Sequence, residues 1–149
     1  MFVAFQGEWG GDPTGYLKIG QYTPATGDWV FFHYPRSLGS GRVGLSEITW
    51  AGDDTLVLLE RDNLVSGAWD KRLYAVSVAG VVPAPAGQTP PVLERELIRD
   101  FLTTDGWPYE KAEGVAFIDM DLVITNDNDA IAGAPTQALI IDKGEKLLR

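Results

Sequence analysis

GLSEITWAGDDTLVLLERDN, residues 44–63, reads as a strand, a tight turn and a second strand that runs into a polar cluster. Leu56, Val57, Leu58 and Leu59 follow one another without polar alternation, as expected of a strand covered on both faces. The same pattern returns in EGVAFIDMDLVITNDND, residues 113–129, where Leu122, Val123, Ile124 and Thr125 lead into Asn126, Asp127, Asn128 and Asp129. Turns at Asp53-Asp54 and Asp119-Met120 set Glu47 opposite Glu60 and Glu113 opposite Asn126, two pairs displaced by the same 66 positions. A third strand follows each cluster, KRLYAVSV from Lys71 and TQALIID from Thr136. A weaker copy opens the chain, FVAFQGEW followed by GYLKIGQYTPATGDWVFFHY.

Between Gly and Pro punctuation the apolar runs are short and rich in Val, Ile, Leu and aromatics, which predicts strands near 2–6, 15–22, 28–34, 45–51, 55–61, 72–78, 114–118, 121–126 and 137–142. LERELIRDFL, 93–102, is ambiguous: its apolar positions fit a helical face better than strict alternation, and it is assigned to an outer strand. VVPAPAGQTPPV, 81–92, carries four prolines and is predicted to be a connecting loop. Strand sets repeating by meander, without crossover helices, suggest one all-β domain over residues 1–149: a β-propeller of about two and a half antiparallel blades in an incomplete ring. Open blade faces would then be surfaces for self-association or for missing blades.

The chain has 12 Lys and Arg against 21 Asp and Glu, a formal charge of −9, so a nucleic-acid backbone or acidic membrane would repel it. Without cysteine there are no disulfides, thiolate metal sites or cysteine nucleophile. No run approaches the roughly 18 apolar residues of a membrane span, and MFVAFQGEWGG reads as a strand rather than a signal peptide.

At GLSEITW, LLERDN, EGVAF and NDND the sequence resembles the phytase-like family, described by an esterase-like activity, whose domains are β-propellers. The resemblance runs from Phe2 to Asp142 and is most specific at 44–63 and 113–129. It implies a domain longer than this chain, lacking an N-terminal portion here, and periplasmic or secreted placement. Gln6-Gly7-Glu8 stands where the later copy has Glu60-Arg61-Asp62, a departure that weakens the first copy's share of a site.

In antiparallel blades the start of the first strand and the end of the second share one rim. The rim is therefore expected to gather Glu60, Arg61, Glu113 and Asp127 as catalytic residues, beside Glu47, Asp62, Asn126, Asn128 and Asp129 as oxygen ligands for calcium. By resemblance to the alkaline propeller phytases, calcium would hold the phosphate of a small phosphate ester and activate water, with Arg61 as a bidentate clamp. The alternatives are a non-catalytic propeller that binds a ligand or partner, and a structural fragment whose Asn and Asp residues make Asx turns.

Other motifs fall away. NDND cannot open an EF-hand loop, because the fifth and sixth places fall on Ile131 and Ala132. GSGRVG, 39–44, leads into a strand and not a helix, so it is a loop rather than a dinucleotide site. His33 has no acidic neighbour in sequence and GLSEI lacks the last glycine of a nucleophile elbow, which excludes a recognisable serine triad. Trp50 and Trp107 to Tyr109 are expected to pack between blades, the alternative for Trp107 to Tyr109 being to flank a ligand on the rim, and Lys71 and Arg72 to be solvated strand-edge charges rather than phosphate ligands.

Overall fold

A computed structural model describes residues 1–39, 42–64, 67–107, 111–130 and 132–142. Among these the fold is all-β, with eleven strands in three antiparallel sheets and a single helical turn, α1 (Phe101–Thr104). Sheet 1 runs in the order β1 (Phe2–Ala4), β2 (Tyr16–Thr23), β3 (Asp28–Pro35), β7 (Ala84–Pro85). Sheet 2 runs β4 (Gly44–Gly52), β5 (Thr55–Arg61), β6 (Lys71–Ser77), β8 (Arg95–Asp100). Sheet 3 comprises β9 (Ala112–Ile118), β10 (Asp121–Asn126) and β11 (Ala138–Ile141), with β10 in the middle.

The unbroken run Leu56 to Leu59 is explained by two cores. Leu56 and Leu58 join Leu17, Ile19, Phe32 and Tyr34 between sheets 1 and 2. Val57 and Leu59 join Leu73, Val115, Leu122 and Ile124 between sheets 2 and 3. Successive side chains of one strand thus feed opposite cores, and each fully buried aliphatic contributes about 1.5–3 kcal/mol. Sheet 2 is the middle layer.

The hairpin between β4 and β5 turns through Asp53 and Asp54, both in the left-handed region at φ 46° and 56°. Two positive φ values match the twist of a two-residue hairpin, and aspartate tolerates them through local hydrogen bonds. Bulges move the pairing away from the simple count: Glu47 lies opposite Leu59, with Leu45 opposite Glu60, and Asn126 lies opposite Ala112 rather than Glu113. The proline-rich connection is not wholly a loop, since β7 pairs with β3 and Val92 bridges His33. The ambiguous 93–102 segment is the outer strand β8, after which Asp100 caps α1 by accepting from Leu102 and Thr103 N–H.

The end of β1 abuts the start of β4 so closely that a methyl group at Gly44 would overlap the Gln6 carbonyl. Gly44→Ala should therefore separate sheets 1 and 2 at the rim and destabilise the chain by about 1–3 kcal/mol. Scanning calorimetry checks this, and an unchanged melting temperature contradicts it.

Candidate functional site

Gln6, two residues past β1, and the strand ends Arg61 and Asn126 reach the rim at which β4 and β9 begin. Behind each strand end a loop turns back into the next strand, and a short acid or amide closes it. Asp62, wholly buried, accepts from the N–H of Leu64 (3.1 Å), Trp69 (2.7 Å) and Asp70 (2.9 Å), and from Lys71 Nζ (2.9 Å). Burial pulls its carboxyl pKa up, but those donors outweigh burial and hold it below the usual range. Glu8 does the same work in the first copy: it accepts from Gly15 N–H at 2.8 Å, and Glu8 and Gly15 each stand 54 positions before Asp62 and Trp69. Asn128, 66 positions after Asp62, accepts from Ala130 N–H at 3.0 Å and donates to Ala134 at 3.1 Å.

The rest of the Asn and Asp cluster is occupied in the same way. Asn126 accepts from Gln137 N–H at 2.7 Å and donates to the Pro135 carbonyl at 3.0 Å. Asp127 accepts from Asp129 N–H at 2.9 Å, and Asp129 pairs with Lys111. Glu47 folds onto the N–H of Ile48 at 2.8 Å. The oxygen-rich strand ends are therefore Asx turns and loop closures. Lys71, expected at a solvated edge, is fully buried against Asp62, and Arg72 bridges Asp70 (3.0 Å) and Asp100 (2.8 Å).

Glu60 and Arg61 are neighbours on β5 and point to opposite faces. Glu60 lies fully buried toward sheet 1, where its carboxylate accepts from Ser37 N–H (3.1 Å), Ser37 Oγ–H (2.5 Å) and Arg95 Nη1 (2.9 Å). Arg95 stacks 4.2 Å over the Tyr74 ring and donates to the Tyr34 hydroxyl. Burial, then the negative charge of Glu60, pushes the Asp70 carboxyl up to about 7 against the pull of Arg72. This polar cluster joins sheets 1 and 2.

Arg61 faces the other way, into a rim cleft of about 810 Å³ that Glu8, Arg36, Arg42, Asn63 and Lys111 also line. Three of these cations come with an acid: Arg36 with Glu8 at 2.8 Å, Arg61 with Glu113 at 2.5 Å, and Lys111 with Asp129. Arg42 has no acidic partner among the described residues. The lining itself carries four cations against one acid, Glu8, while Glu113, Asp127 and Asp129 stand at the same rim, so the positive character belongs to the cleft wall and not to the whole rim. Arg61 is the most enclosed, with its side chain 6% exposed and its Nε buried without a hydrogen-bond acceptor among the described residues. The Gly15 N–H, then Arg36, hold the Glu8 carboxyl below its ordinary range.

The wall of this cleft is cationic. Among the described residues no three acidic or histidine side chains converge as metal ligands do. Asp62, Asn126 and Asn128 have their oxygens taken up by backbone N–H groups, and Glu113 and Asp129 are each held by a cation. The donor set does not fit calcium without breaking those contacts. The rim side chains that could lend oxygens to a cation are Glu113, Asp127 and Asp129, two of them at the cost of an ion pair.

Arg61 and Glu113, both expected at the rim, are in contact there, and Arg36, Arg42, Lys111 and Glu8 join them without having been expected. Only Glu8 left a signal, its 54-residue spacing from Asp62. His33 does have an acidic neighbour in space, Asp12 Oδ1 at 3.4 Å, but both lie on the face of sheet 1 that is turned away from sheet 2. Trp107 packs edge-on to Phe101 in the second core, and Trp50 stacks on Phe2 across sheets 1 and 2. Pro108 and Tyr109, with Ser40 and Gly41 of the glycine-rich loop, lie outside the described residues. No described helix is long and apolar enough to cross a membrane.

A family model described as Phytase-like, esterase-like activity of phytase, matches residues 1–130. No curated protein matches the chain, and no solved structure does.

Proposed function

Because the chain belongs to the phytase-like family, we propose that its three sheets are neighbouring blades of a β-propeller and that the rim cleft binds a small phosphate ester. The observation that carries this is the positive surplus around Arg61: Arg36, Arg42 and Lys111 converge with it on one cleft in an otherwise acidic chain. Guanidinium groups match phosphate oxygens bidentately, and an enclosed one does so with little competition from water.

Arg61 is assigned as the phosphate clamp. Glu113, partly exposed and in contact with Arg61, is the carboxylate placed to accept the proton of an attacking water. Glu60 has another task, walled off between sheets 1 and 2, and Asp127 spends one oxygen on the Asp129 N–H. No step is routed through calcium.

Titration calorimetry with inorganic phosphate, and turnover of a chromogenic phosphate ester, test the proposal with calcium and with chelator. Phosphate binding that survives chelator and weakens about tenfold or more in Arg61→Lys supports it, as the loss of one charge-assisted contact is about 1.5–3 kcal/mol. Turnover lost in Glu113→Gln with binding kept supports the catalytic assignment, and binding without turnover in the parent chain supports the non-catalytic alternative. Binding seen only with calcium returns the rim acids to the metal role and sinks the cationic-cleft proposal.

A further inference from the structure

Two loops of the repeat are closed by an acid at the same position and held by unlike means. Asp62 and Trp69 have their counterparts 54 positions earlier in Glu8 and Gly15. Asp62 is fully buried, and its cation, Lys71, is buried with it. The Glu8 side chain is 34% exposed, and its cation is Arg36, which lines the cleft. Gly15 N–H (2.8 Å), Arg36 Nε (2.9 Å) and Arg36 Nη2 (2.8 Å) all converge on one oxygen, Glu8 Oε1. The first loop is thus closed by a guanidinium that a phosphate group in the cleft would also use.

The ends of this loop are fixed and its middle is free. The Gln6 carbonyl lies tight against Gly44, and the Gly15 carbonyl accepts from Arg36 N–H at 2.9 Å. Between them every residue from Gly7 to Gly11 is exposed, and a methyl group at Gly7 or Gly11 would meet nothing within 4 Å. Gly11 sits at φ 95°, a conformation that a glycine adopts without strain. Trp9 packs on Phe5 and Lys18, and Asp12 pairs with Lys18 at 2.9 Å, all on sheet 1. Glu8 is therefore the residue that ties the free stretch to the cleft. Its ion pair with Arg36 is an exposed one, weaker than the charge-assisted bonds of a phosphate group.

Resting on the reading of this cleft as a phosphate site, we propose that Glu8 is a latch on the 7–14 loop, closed on Arg36 in this structure and released when a phosphate group takes Arg36. Release withdraws the acceptor from Gly15 N–H and lets the Gly7-Glu8 part of the cleft wall swing outward. The second loop cannot respond in this way, because Asp62 and Lys71 are sealed from the cleft. Binding at the rim is thereby coupled to one loop of the repeat and not to its counterpart.

Amide exchange of the full chain, read by NMR at Gly15 and at Trp69 with and without inorganic phosphate, tests the latch. Saturating phosphate should speed exchange at Gly15 by about fivefold, the net worth of one hydrogen bond, and leave Trp69 unchanged. Glu8→Ala should show the faster Gly15 exchange without phosphate and no further change when phosphate is added. Titration calorimetry should find phosphate bound about two- to fivefold more tightly by this variant, since no carboxylate competes for Arg36. The comparison within the parent chain decides the matter even if Glu8→Ala fails to fold. Phosphate that binds while Gly15 exchange stays the same or slows overturns the latch alone, as does weaker binding by a folded Glu8→Ala. No phosphate binding at all overturns the latch together with the reading of the cleft on which it rests.

Discussion

Asp62→Ala should destabilise the chain by about 3–5 kcal/mol, a large part of the 5–15 kcal/mol that holds a domain together. Lys71 is fully buried and Asp62 is its only anionic partner among the described residues, so the substitution leaves an uncompensated ammonium inside the protein. It also strips the acceptor from three backbone N–H groups of the 62–70 loop. Urea and thermal unfolding measure the effect, with a melting temperature lower by about 10 °C or more. The double variant Asp62→Ala with Lys71→Met should recover part of the loss, because removing both charges avoids the unpaired one. Equal stability of Asp62→Ala and the parent would show that the pair is not buried as described.

Stability should also fall as pH rises from about 4 to about 7, and Asp70 is the reason. Its carboxyl, enclosed and beside Glu60, titrates at about 7 in the fold against an ordinary value of 3.8. A raised folded-state pKa means that the folded state holds the proton more tightly, so the contribution is complete below the unfolded value and lost as pH passes the folded one. The span corresponds to at most about 4 kcal/mol. Groups facing the pair are Ser37 and Tyr34 from sheet 1, and Tyr74, Arg72 and Arg95 from sheet 2. Asp70→Asn should flatten the profile and stabilise the chain at pH 8. Melting curves at half-unit pH steps give the comparison, and a parent profile that rises toward pH 7 would exclude Asp70 as the controlling group.

The strands were legible because the apolar runs are short and punctuated, and because Leu56 to Leu59 could only belong to a strand with a core on each side. The 66-residue spacing gave the equivalence of β5 and β10, and it holds in space. Register at the rim was not legible, since bulges beside Glu47 and Asn126 shift the pairing by one residue and leave no compositional trace. The site was half legible. Arg61 and Glu113 meet as expected, but the number of oxygens in Asn126 to Asp129 says nothing about where they point, and backbone N–H groups of the same loops take them first. Arg36, Arg42 and Lys111 arrive from three separate segments, after β3, before β4 and before β9, a convergence made by sheet stacking rather than by spacing.

Three of the four cations at the cleft come already coupled to a carboxylate, so an incoming dianion must trade places with side chains rather than fill vacant charge. Such an exchange is governed by whatever loosens the resident acids. Occupation of the mouth by an anion and release of its own carboxylates are then one event, and a neutral ligand would trigger neither.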